Sequence, residues 1–330
     1  MEQTSRELIK CMGVKKYFPI SDKKLPGKNH FLHAVDDVSF TIKEKEIFGL
    51  VGESGSGKST IGRCILNLHQ TTDGEIHYRG EKINNLPAAE LKNYRSKMQM
   101  VFQNPFASFN PRKSVSKTFT ELGMHSGMSK AEAFSKAEEL LEMVSLLPQS
   151  EILGRYPKEM SGGQLQRLAI ARALMPGPDF LVADEPVSAL DVSVQAQILN
   201  LFVELRDKLG LTILFISHDL TVVENICDNV GVIYLGALVE LGPAELVFKN
   251  ILHPYSRALI SAKPKEHPND ESHRILLQGD IPNAVDVKPG CRFSSRCPYA
   301  KEGVCDCETP ELKEYEPGHY AACHFPLGAG

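Results

Sequence analysis

A glycine-rich stretch, LVGESGSGKST at residues 50–60, constrains the fold of this chain more than any other feature. It follows the apolar run IFGLVG, which predicts a buried strand, and it precedes STIGRCILNL, whose apolar residues recur at helical spacing. A strand that passes through a glycine-rich loop into a helix is the local structure of a phosphate-binding loop. The sequence therefore predicts an α/β protein whose central sheet carries this loop.

The spacing within the loop indicates what it binds. Gly52, Gly57, Lys58 and Ser59 fit the pattern G-x-x-x-x-G-K-[ST], and Gly55 lies between them. The glycines let several backbone N–H groups face one concavity, and the N-terminus of the next helix adds a partial positive charge. Lys58 would reach the β- and γ-phosphates of a nucleotide, and the Ser59 hydroxyl would coordinate Mg²⁺. The predicted nucleotide-binding residues of the loop also include Ser54, Ser56 and Thr60. The alternative is a glycine-rich turn with a surface lysine.

Two carboxylates, Asp184 and Glu185, end the apolar run FLVADEP. Burial of this strand would hold Asp184 at the carboxyl end of the sheet, where ligands bind in open α/β folds. Asp184 suits the hydration shell of Mg²⁺. Glu185 suits general-base catalysis on an attacking water, which contributes about 10²–10⁴ in rate. A strand followed by an acidic turn is common by itself, so it is the phosphate loop upstream that favours the catalytic interpretation.

The run SGGQLQRLAIARAL, which begins at Ser161, predicts a helix directly before that strand. Ser161 is a good N-cap residue. Gly162 and Gly163 would leave the start of the helix bare, so that backbone N–H groups can approach an anion. The alternative interpretation is a capped helix with no ligand.

Composition restricts the classes of partner and the cellular compartment. The net charge of −4 over 330 residues predicts no nucleic-acid partner. No stretch approaches the roughly 18 apolar residues of a membrane span, and charges interrupt the first residues throughout, unlike a signal peptide. We therefore expect a cytosolic chain whose cysteines are reduced or metal-bound. Cys11, Cys64 and Cys227 are expected to be small core residues.

The order of the motifs resembles the nucleotide-binding domain of ABC transporters, over about residues 8–250. Between the phosphate loop and SGGQ lies MVFQNP with Gln103, and after FLVADEP come SALD and ISHD with His218. The resemblance implies that Gln103 contacts Mg²⁺ or the attacking water and senses a membrane partner. It also implies that His218 is the switch histidine at the γ-phosphate. A histidine that ends LTILFIS would more often be structural if read alone, and only the order of motifs reverses that.

The same resemblance implies that ATP is bound between two chains. Ser161, Gly162, Gly163 and Gln164 would form the signature motif, which binds the γ-phosphate of a nucleotide held by a second ATPase subunit. That subunit would be homologous or identical, in a head-to-tail dimer. Asp191, in SALD, would lie in the D-loop that crosses the dimer interface.

Two further regions are assigned by this resemblance. Adenine is expected to stack on an aromatic residue of KKYFPI, and family spacing favours Phe18 over its neighbour Tyr17. Either residue could instead be a core aromatic of an antiparallel β-subdomain. The segment at about 104–160 is polar and then helical, and it resembles the helical subdomain whose groove receives a cytoplasmic helix of a membrane subunit.

The residues after about 250 resemble the C-terminal extension of ATPase subunits that serve oligopeptide, dipeptide and nickel importers. The runs that carry this resemblance are NILHPYSRALISAKP, GCRFSSRCPYAKEGVCDCETPEL and HYAACHFP. The insert SDKKLPGKNHF and the run NPFASFNPR resemble the same branch.

These resemblances imply an ATPase that lies peripherally on the cytoplasmic face of the membrane and energises peptide import. Two transmembrane permease subunits would be its direct partners, and an extracytoplasmic peptide-binding protein an indirect one. A nickel importer is one alternative. A soluble ABC ATPase without a membrane partner is another, but such proteins usually fuse two ATPase halves or carry a long coiled-coil insert.

Five cysteines lie within residues 291–323, in a segment with little hydrophobic periodicity. A bound metal would supply the folding free energy that such a segment lacks. The spacing departs from the C-x₂₋₄-C pairs of zinc sites, and four thiolates also suit an iron–sulfur cluster. The resemblance favours a four-iron, four-sulfur cluster on Cys291, Cys297, Cys305 and Cys323, with Cys307 as the alternative to Cys305. Zinc and free cysteines remain the alternatives.

The expected architecture is a P-loop ABC ATPase domain over residues 1–250 and an extension over 251–330. The ATPase domain would contain a mixed central sheet, an N-terminal antiparallel β-subdomain and the helical subdomain. The extension would be small and stapled by metal. Because it lies outside every ATPase motif in the sequence, we expect it to be structural or to order a docking surface, with ATP hydrolysis independent of it.

Overall fold

The structure, a computed structural model, describes residues 6–20, 30–262, 275, 277, 279, 282, 284, 285, 287 and 289–328. Most of the insert SDKKLPGKNHF, which begins at residue 21, and the last residues of NILHPYSRALISAKP therefore lie outside the described residues. The chain divides into two compact units. Unit 1 comprises Met1–Asn85 and Ser217–Gly330, and unit 2 comprises Leu86–Ile216.

The strands of the described residues, in chain order, are β1 (Glu7–Ile20), β2 (His30–Lys43), β3 (Ile47–Val51), β4 (Asp73–Tyr78), β5 (Glu81–Lys82), β6 (Met98–Val101), β7 (Phe180–Asp184), β8 (Thr212–Ser217), β9 (Asn229–Tyr234), β10 (Ala237–Pro243), β11 (Lys313–Glu316) and β12 (His319–Ala321). The α-helices are α1 (Lys58–Ile65), α2 (Ala88–Arg95), α3 (Val115–His125), α4 (Lys130–Met143), α5 (Gln149–Gly154), α6 (Gly162–Leu174), α7 (Val192–Leu209), α8 (Leu220–Ile226), α9 (Ala244–Lys249) and α10 (Pro254–Ser261). Short 3₁₀ turns occupy Pro105–Ser108, Pro157–Glu159 and Ser294–Arg296.

Unit 1 contains the predicted antiparallel N-terminal sheet, in the order β2-β1-β4-β5. The long strand β1 pairs antiparallel with β2 along one edge and with β4 along the other. Its buried side chains include Cys11, as predicted from the sequence, and Cys64 and Cys227 are buried elsewhere in unit 1. Burial raises the pKa of the Cys64 thiol to about 11, so this cysteine stays a neutral core residue.

The central sheet of unit 1 is mixed, in the order β11-β12-β10-β9-β3. Strand β3 runs parallel to β9, whereas β9 and β10 form an antiparallel pair. All five residues of β3 are buried, as the run IFGLVG predicts for a strand covered on both faces. The carboxyl end of β3 leads directly into the glycine-rich loop, which is thereby fixed to the core.

Unit 2 contains a parallel sheet, β6-β7-β8, together with helices α2 to α7. Strand β7 is fully buried and pairs in parallel with β6 and β8. Helix α4 begins in a capping box of Ser129 and Glu132, and it confirms the helix predicted from the sequence KAEAFSKAEELLEMV. Helix α6 confirms the predicted N-cap at Ser161.

The C-terminal extension is joined to unit 1 by backbone pairing and by a buried polar cluster. Strand β12 pairs antiparallel with β10, and the backbone N–H of His33 donates to the Ala284 carbonyl at 2.9 Å. Glu240 on β10 is fully buried, accepts from the N–H groups of Leu252 and His253 at 2.9 Å, and contacts the His319 imidazole at the same distance. The extension is therefore part of the same compact unit as the phosphate loop. Within the described ranges, no helix is long and apolar enough to cross a membrane.

Candidate functional site

The glycine-rich loop lies between the last residue of β3 and the first turn of α1, and two of its glycines are required by close backbone contacts. A Cβ atom on Gly57, whose φ is +106°, would lie 2.1 Å from the Ala34 carbonyl oxygen. A Cβ atom on Gly52 would lie 2.2 Å from the Ile233 carbonyl oxygen. No other residue fits these positions, so the loop conformation depends on the glycines that the pattern predicts.

Lys58 lies inside the loop, as the predicted phosphate ligand should. Its side chain is buried, and Nζ donates to the carbonyl oxygens of Gly52 at 2.8 Å and Glu53 at 2.9 Å. The Ser56 hydroxyl is 3.5 Å from the same ammonium group. Ser59 and Thr60 follow in the first turn of α1 and are half-buried, whereas Ser54 and Gly55 are exposed. The loop therefore presents a buried cation beside a helix N-terminus, an arrangement that favours phosphate.

Unit 2 holds the predicted carboxylates and brings one of them against Gln103. Asp184 is the buried last residue of β7. Glu185 follows it with a φ of +47°, a left-handed conformation that costs a non-glycine residue about 1–3 kcal/mol. The Gln103 amide donates from Nε2 to Glu185 Oε2 at 2.8 Å, and the Glu185 backbone N–H donates to the Ile216 carbonyl at 3.0 Å. The fold therefore directs the Glu185 side chain toward Gln103.

The predicted signature motif forms the exposed N-terminus of α6. The Ser161 hydroxyl accepts from the Gln164 N–H at 3.3 Å, and the Gln164 side chain accepts from the Ser161 N–H at 3.1 Å. A Cβ atom on Gly163 would lie 2.6 Å from Cγ1 of Val194, so this glycine allows α6 to approach the start of α7. Ser161 and Gly162 are exposed to solvent.

The predicted D-loop residue caps the next helix. Asp191 accepts from the Ser193 hydroxyl at 2.7 Å and from the Val194 N–H at 3.0 Å. These hydrogen bonds, that from Ser193 first, hold the pKa of Asp191 below its ordinary value. The neighbouring Val192 is 83% exposed, which leaves an apolar side chain uncovered close to the signature motif.

His218 follows the last residue of β8 and is exposed. It belongs to unit 1, as do the glycine-rich loop and the N-terminal aromatic residues. Gln103, the two carboxylates, the signature motif and Asp191 belong to unit 2. Within unit 2, Gln103 and Glu185 are in direct contact.

The two candidate adenine-stacking residues have different surroundings. The Tyr17 hydroxyl donates to Asp36, and its ring stacks on His33 with centroids 4.0 Å apart. Phe18 is half-buried and contacts the His69 ring by its edge, with centroids 5.5 Å apart. One face of Tyr17 is therefore already covered, and the preference for Phe18 stays a prediction.

Four of the five clustered cysteines are placed so that negative charge on one raises the pKa of another. Burial raises the pKa of the Cys323 thiol to about 11, and negative charge on Cys291, Cys297 and Cys305 would raise it further. Cys307 is exposed, and its pKa is raised chiefly by the adjacent Asp306. These raised pKa values favour neutral thiols at Cys291, Cys297 and Cys323 when nothing is bound to them.

Positions of donor atoms do not support a metal site. Across the described ranges, no group of three or more His, Cys, Asp or Glu side chains is placed to hold a metal ion. The predicted metal staple therefore receives no support from the geometry of the cysteines.

The extension contacts the glycine-rich loop, although it lies outside every ATPase motif in the sequence. The Arg296 guanidinium forms a bidentate ion pair with Glu53 in the glycine-rich loop, at 2.8 Å and 3.1 Å. The hydroxyl of Tyr255 on α10 accepts from the Glu53 backbone N–H at 2.9 Å. Arg296 and Glu53 are 243 residues apart in sequence. Glu53, Tyr255 and Arg296 lie within runs that the sequence analysis singled out, but nothing in those runs indicates that these three residues contact one another.

Family comparisons agree with the motifs and with the extension. Residues 35–188 match the family described as ABC transporter. Residues 239–305 match the oligopeptide/dipeptide transporter C-terminal region.

Curated relatives match over nearly the whole chain. The oligopeptide transport ATP-binding protein AppF of Bacillus subtilis is 47% identical over 322 residues, which is 96% of this chain and 97% of AppF. The dipeptide transport ATP-binding protein DppF of Haemophilus influenzae is 45% identical over 317 residues, 96% of each chain.

A solved structure shares the fold of the ATPase part. The ATP-binding cassette MJ0796, solved as a dimer in a post-hydrolysis state with ADP and Pi, is 29% identical with a TM-score of 0.64. That match covers 72% of this chain and 99% of MJ0796. The chain belongs to the ABC transporter ATPases, as an ATP-binding subunit of the oligopeptide/dipeptide transporter family with that family's C-terminal region.

Proposed function

We propose that this chain hydrolyses ATP to energise the import of dipeptides or oligopeptides through separate membrane subunits. The observation that carries the proposal is the end-to-end similarity to oligopeptide and dipeptide transport ATP-binding proteins, which includes the C-terminal region. The structure supports the ATPase part with a buried loop lysine in unit 1 and a paired glutamine and glutamate in unit 2.

Nucleotide binding is assigned to the loop and its neighbours. The loop N–H groups and Lys58 hold the phosphates, and Phe18, or alternatively Tyr17, stacks on adenine. Ser59, Gln103 and Asp184 would hold Mg²⁺, which would supply electrostatic stabilisation of the charge that develops on the phosphates. The burial of Lys58 supports its role, because a buried ammonium beside a helix N-terminus attracts an anion more strongly than an exposed one.

Hydrolysis is assigned to Glu185, with His218 at the γ-phosphate. The Glu185 carboxylate takes a proton from the attacking water as the water oxygen bonds to the γ-phosphorus. The bond between that phosphorus and the oxygen that bridges it to the β-phosphate breaks, and ADP and inorganic phosphate are released. The hydrogen bond from Gln103 orients this carboxylate, and the left-handed backbone of Glu185 fixes the direction of the side chain.

A complete site is proposed to need a second ATPase subunit, identical or homologous. Ser161, Gly162, Gly163 and Gln164 bind the γ-phosphate of a nucleotide held by the other chain, and Asp191 lies at the interface. The exposure of Ser161, Gly162 and Val192 in one region of unit 2 supports a surface that another chain covers. The solved structure of MJ0796 is dimeric.

Two permease subunits are the proposed membrane partners, with a peptide-binding protein acting outside the membrane. Unit 2 exposes several large apolar side chains after Gln103: Phe106, Met124, Phe134, Leu147 and Tyr156, each between 39% and 59% exposed. Such side chains suit an amphipathic helix of a partner. Because the proposed partners are membrane subunits, the proposed location of this chain is the cytoplasmic face of the membrane. The proposed division places the ATPase domain at 1–250, with its helical subdomain at about 104–160, and the extension at 251–330.

We also propose that the extension holds a four-iron, four-sulfur cluster on Cys291, Cys297, Cys305 and Cys323. The mutual influence of these four thiols and the exposure of Cys307 support this set. When bound, such a cluster would supply cross-links among the four cysteines. Zinc is the alternative metal, and Cys307 is the alternative ligand to Cys305.

The transport proposal is tested by uptake in a strain that lacks this chain. Expression of the wild type should restore uptake of labelled di- and tripeptides, and Lys58→Ala should not. Restored uptake of nickel without uptake of peptides would show that the cargo is nickel and not a peptide. Copurification with ribosomes or DNA and not with polytopic membrane subunits would favour the soluble class of ABC ATPase.

A further inference from the structure

The cysteine segment at residues 291–297 contacts the phosphate loop through one buried ion pair. Arg296 Nη1 lies 2.8 Å from Glu53 Oε2, and Nη2 lies 3.1 Å from Oε1. The Arg296 side chain is 8% exposed and that of Glu53 24%, so water screens the pair only partly. Two parallel N–H···O bonds hold the carboxylate in one position and place a positive charge beside it.

We propose that Arg296 is a positioning residue for nucleotide binding, which neutralises Glu53 and fixes it within the phosphate loop. The inference rests on the proposed function of that loop. Glu53 immediately follows Gly52 in the loop, and its carbonyl accepts from Lys58 at 2.9 Å. An unpaired carboxylate at this place would repel the phosphates that Lys58 attracts. Arg296 compensates that negative charge and holds the Glu53 carboxylate in the ion pair.

Arg296 is held by packing that belongs to unit 1. Phe293 is 1% exposed and packs against Tyr234 and Tyr255, with ring centroids 5.3 Å and 5.4 Å away. The Tyr234 hydroxyl lies 3.3 Å from Arg296 Nη1. The Tyr255 hydroxyl accepts a hydrogen bond from the Glu53 backbone N–H at 2.9 Å. The same aromatic cluster therefore contacts both members of the ion pair, and this fixes the segment relative to the loop.

A second arginine anchors the same segment independently. Arg292 pairs with Asp36 and also donates to the Leu235 carbonyl. Asp36 in turn accepts from Tyr17 and lies 3.2 Å from His33 Nδ1. The segment is thus attached on both sides of Phe293, and the placement of Arg296 does not depend on its own ion pair alone.

The test is a double-mutant cycle on the full-length chain, with ADP affinity by calorimetry and the KM for ATP as readouts. Arg296→Met should weaken ADP binding and raise KM by about tenfold, because one uncompensated charge then faces the phosphates. Glu53→Gln in the Arg296→Met background removes that charge and should return both values to within about twofold of the wild type. Arg296→Lys, which keeps the charge, should recover most of the loss.

Arg257→Met is the matched control, because Arg257 is an exposed arginine of α10 in the same unit. It should leave ADP affinity and KM unchanged. Unchanged ADP affinity in Arg296→Met would overturn the inference, and so would a double variant that binds no better than Arg296→Met, since that result indicates a structural role only. If Arg296→Met does not fold, Arg296→Gln replaces it in the same cycle with the same expected and contrary outcomes. Unchanged ADP affinity in Lys58→Ala would instead refute the proposed function of the loop.

Discussion

Gln103 and Glu185 form a hydrogen bond of 2.8 Å between the side-chain amide and the carboxylate, although 82 residues separate them. Gln103 follows strand β6 and Glu185 follows strand β7, and these strands are parallel neighbours. The carboxyl ends of parallel strands meet at one edge of a sheet, so the two side chains are brought together by topology. The contact joins a residue assigned to Mg²⁺ and the membrane partner with the residue assigned to proton transfer.

Replacement of Gln103 by alanine should lower the turnover of ATP by about tenfold, because the carboxylate loses the group that orients it. ATP affinity should change less, since the phosphate loop remains intact. Steady-state hydrolysis gives both kcat and KM. Gln99→Ala is the matched control, four residues earlier on β6, where the amide donates to the Arg95 carbonyl. Equal kcat values for Gln103→Ala and the wild type would show that Gln103 does not orient the Glu185 carboxylate for catalysis.

The fold could be predicted from the sequence wherever the signal is local. The all-apolar β3, the glycine pattern after it and the N-cap at Ser161 each lie within about fifteen residues, and each appears in the structure. The buried end of β7 at Asp184 was likewise predicted by the run FLVADEP.

Other features of the site could not be predicted, because they depend on contacts distant in sequence. The left-handed conformation of Glu185 depends on its neighbours in the fold, and nothing in the sequence FLVADEP indicates it. The ion pair of Arg296 with Glu53 requires the extension to fold back onto the loop, which no spacing rule encodes. The sequence places the extension outside every ATPase motif, and the structure adds that it belongs to unit 1, as the glycine-rich loop does.

Mixed dimers test whether Ser161 acts on nucleotide held by the other chain. Ser161→Arg and Lys58→Ala should each be nearly inactive alone, since one lacks the signature hydroxyl and the other the loop cation. A mixture should regain part of the activity, because one of its two composite sites can be intact. Hydrolysis by the wild type should also rise more than linearly with protein concentration. Linear activity together with no rescue in mixtures would indicate a self-contained monomeric site.

Serine substitutions test the proposed cluster. Anaerobically purified protein should be brown, with broad absorption near ~400 nm from thiolate-bound iron. Cys291→Ser, Cys297→Ser and Cys323→Ser should each bleach it, and so should Cys305→Ser. Cys305→Ser and Cys307→Ser decide between the two candidate ligands, since only one of them should bleach the colour. We expect Cys307→Ser to keep it, because Cys307 is exposed. Colourless protein with stoichiometric zinc would contradict the iron–sulfur assignment, and well-ordered metal-free protein would contradict both metals.

The pH dependence of the free energy of unfolding should reveal how much Asp36 contributes to stability. Burial opposes its ionisation, but hydrogen bonds from Tyr17 and His33 and the charge of Arg292 outweigh burial and hold the pKa of Asp36 below its ordinary value. A depressed folded-state pKa gives stability that is present above the unfolded pKa, about 3.9, and is lost as pH falls through the folded value.

Asp36→Asn should therefore lower the free energy of unfolding at pH 7 by about 1–3 kcal/mol. The difference from the wild type should narrow as pH falls below about 4. Denaturant titrations at pH 7 and at lower pH give this comparison. Asp37→Asn, the same change at the next residue, which is exposed, should have little effect at either pH. A difference for Asp36→Asn that stays constant with pH would contradict the assignment.

ATP turnover by Glu185→Gln tests the hydrolytic mechanism most directly. The amide keeps the shape of the side chain but cannot accept a proton from water, so turnover should fall by about 10² or more while ATP binding is retained. Size-exclusion chromatography should then show an ATP-bound dimer. Glu204→Gln, on the exposed side of α7, is the matched control and should hydrolyse ATP like the wild type. Turnover by Glu185→Gln at the rate of the wild type would contradict the assignment of Glu185 as the base.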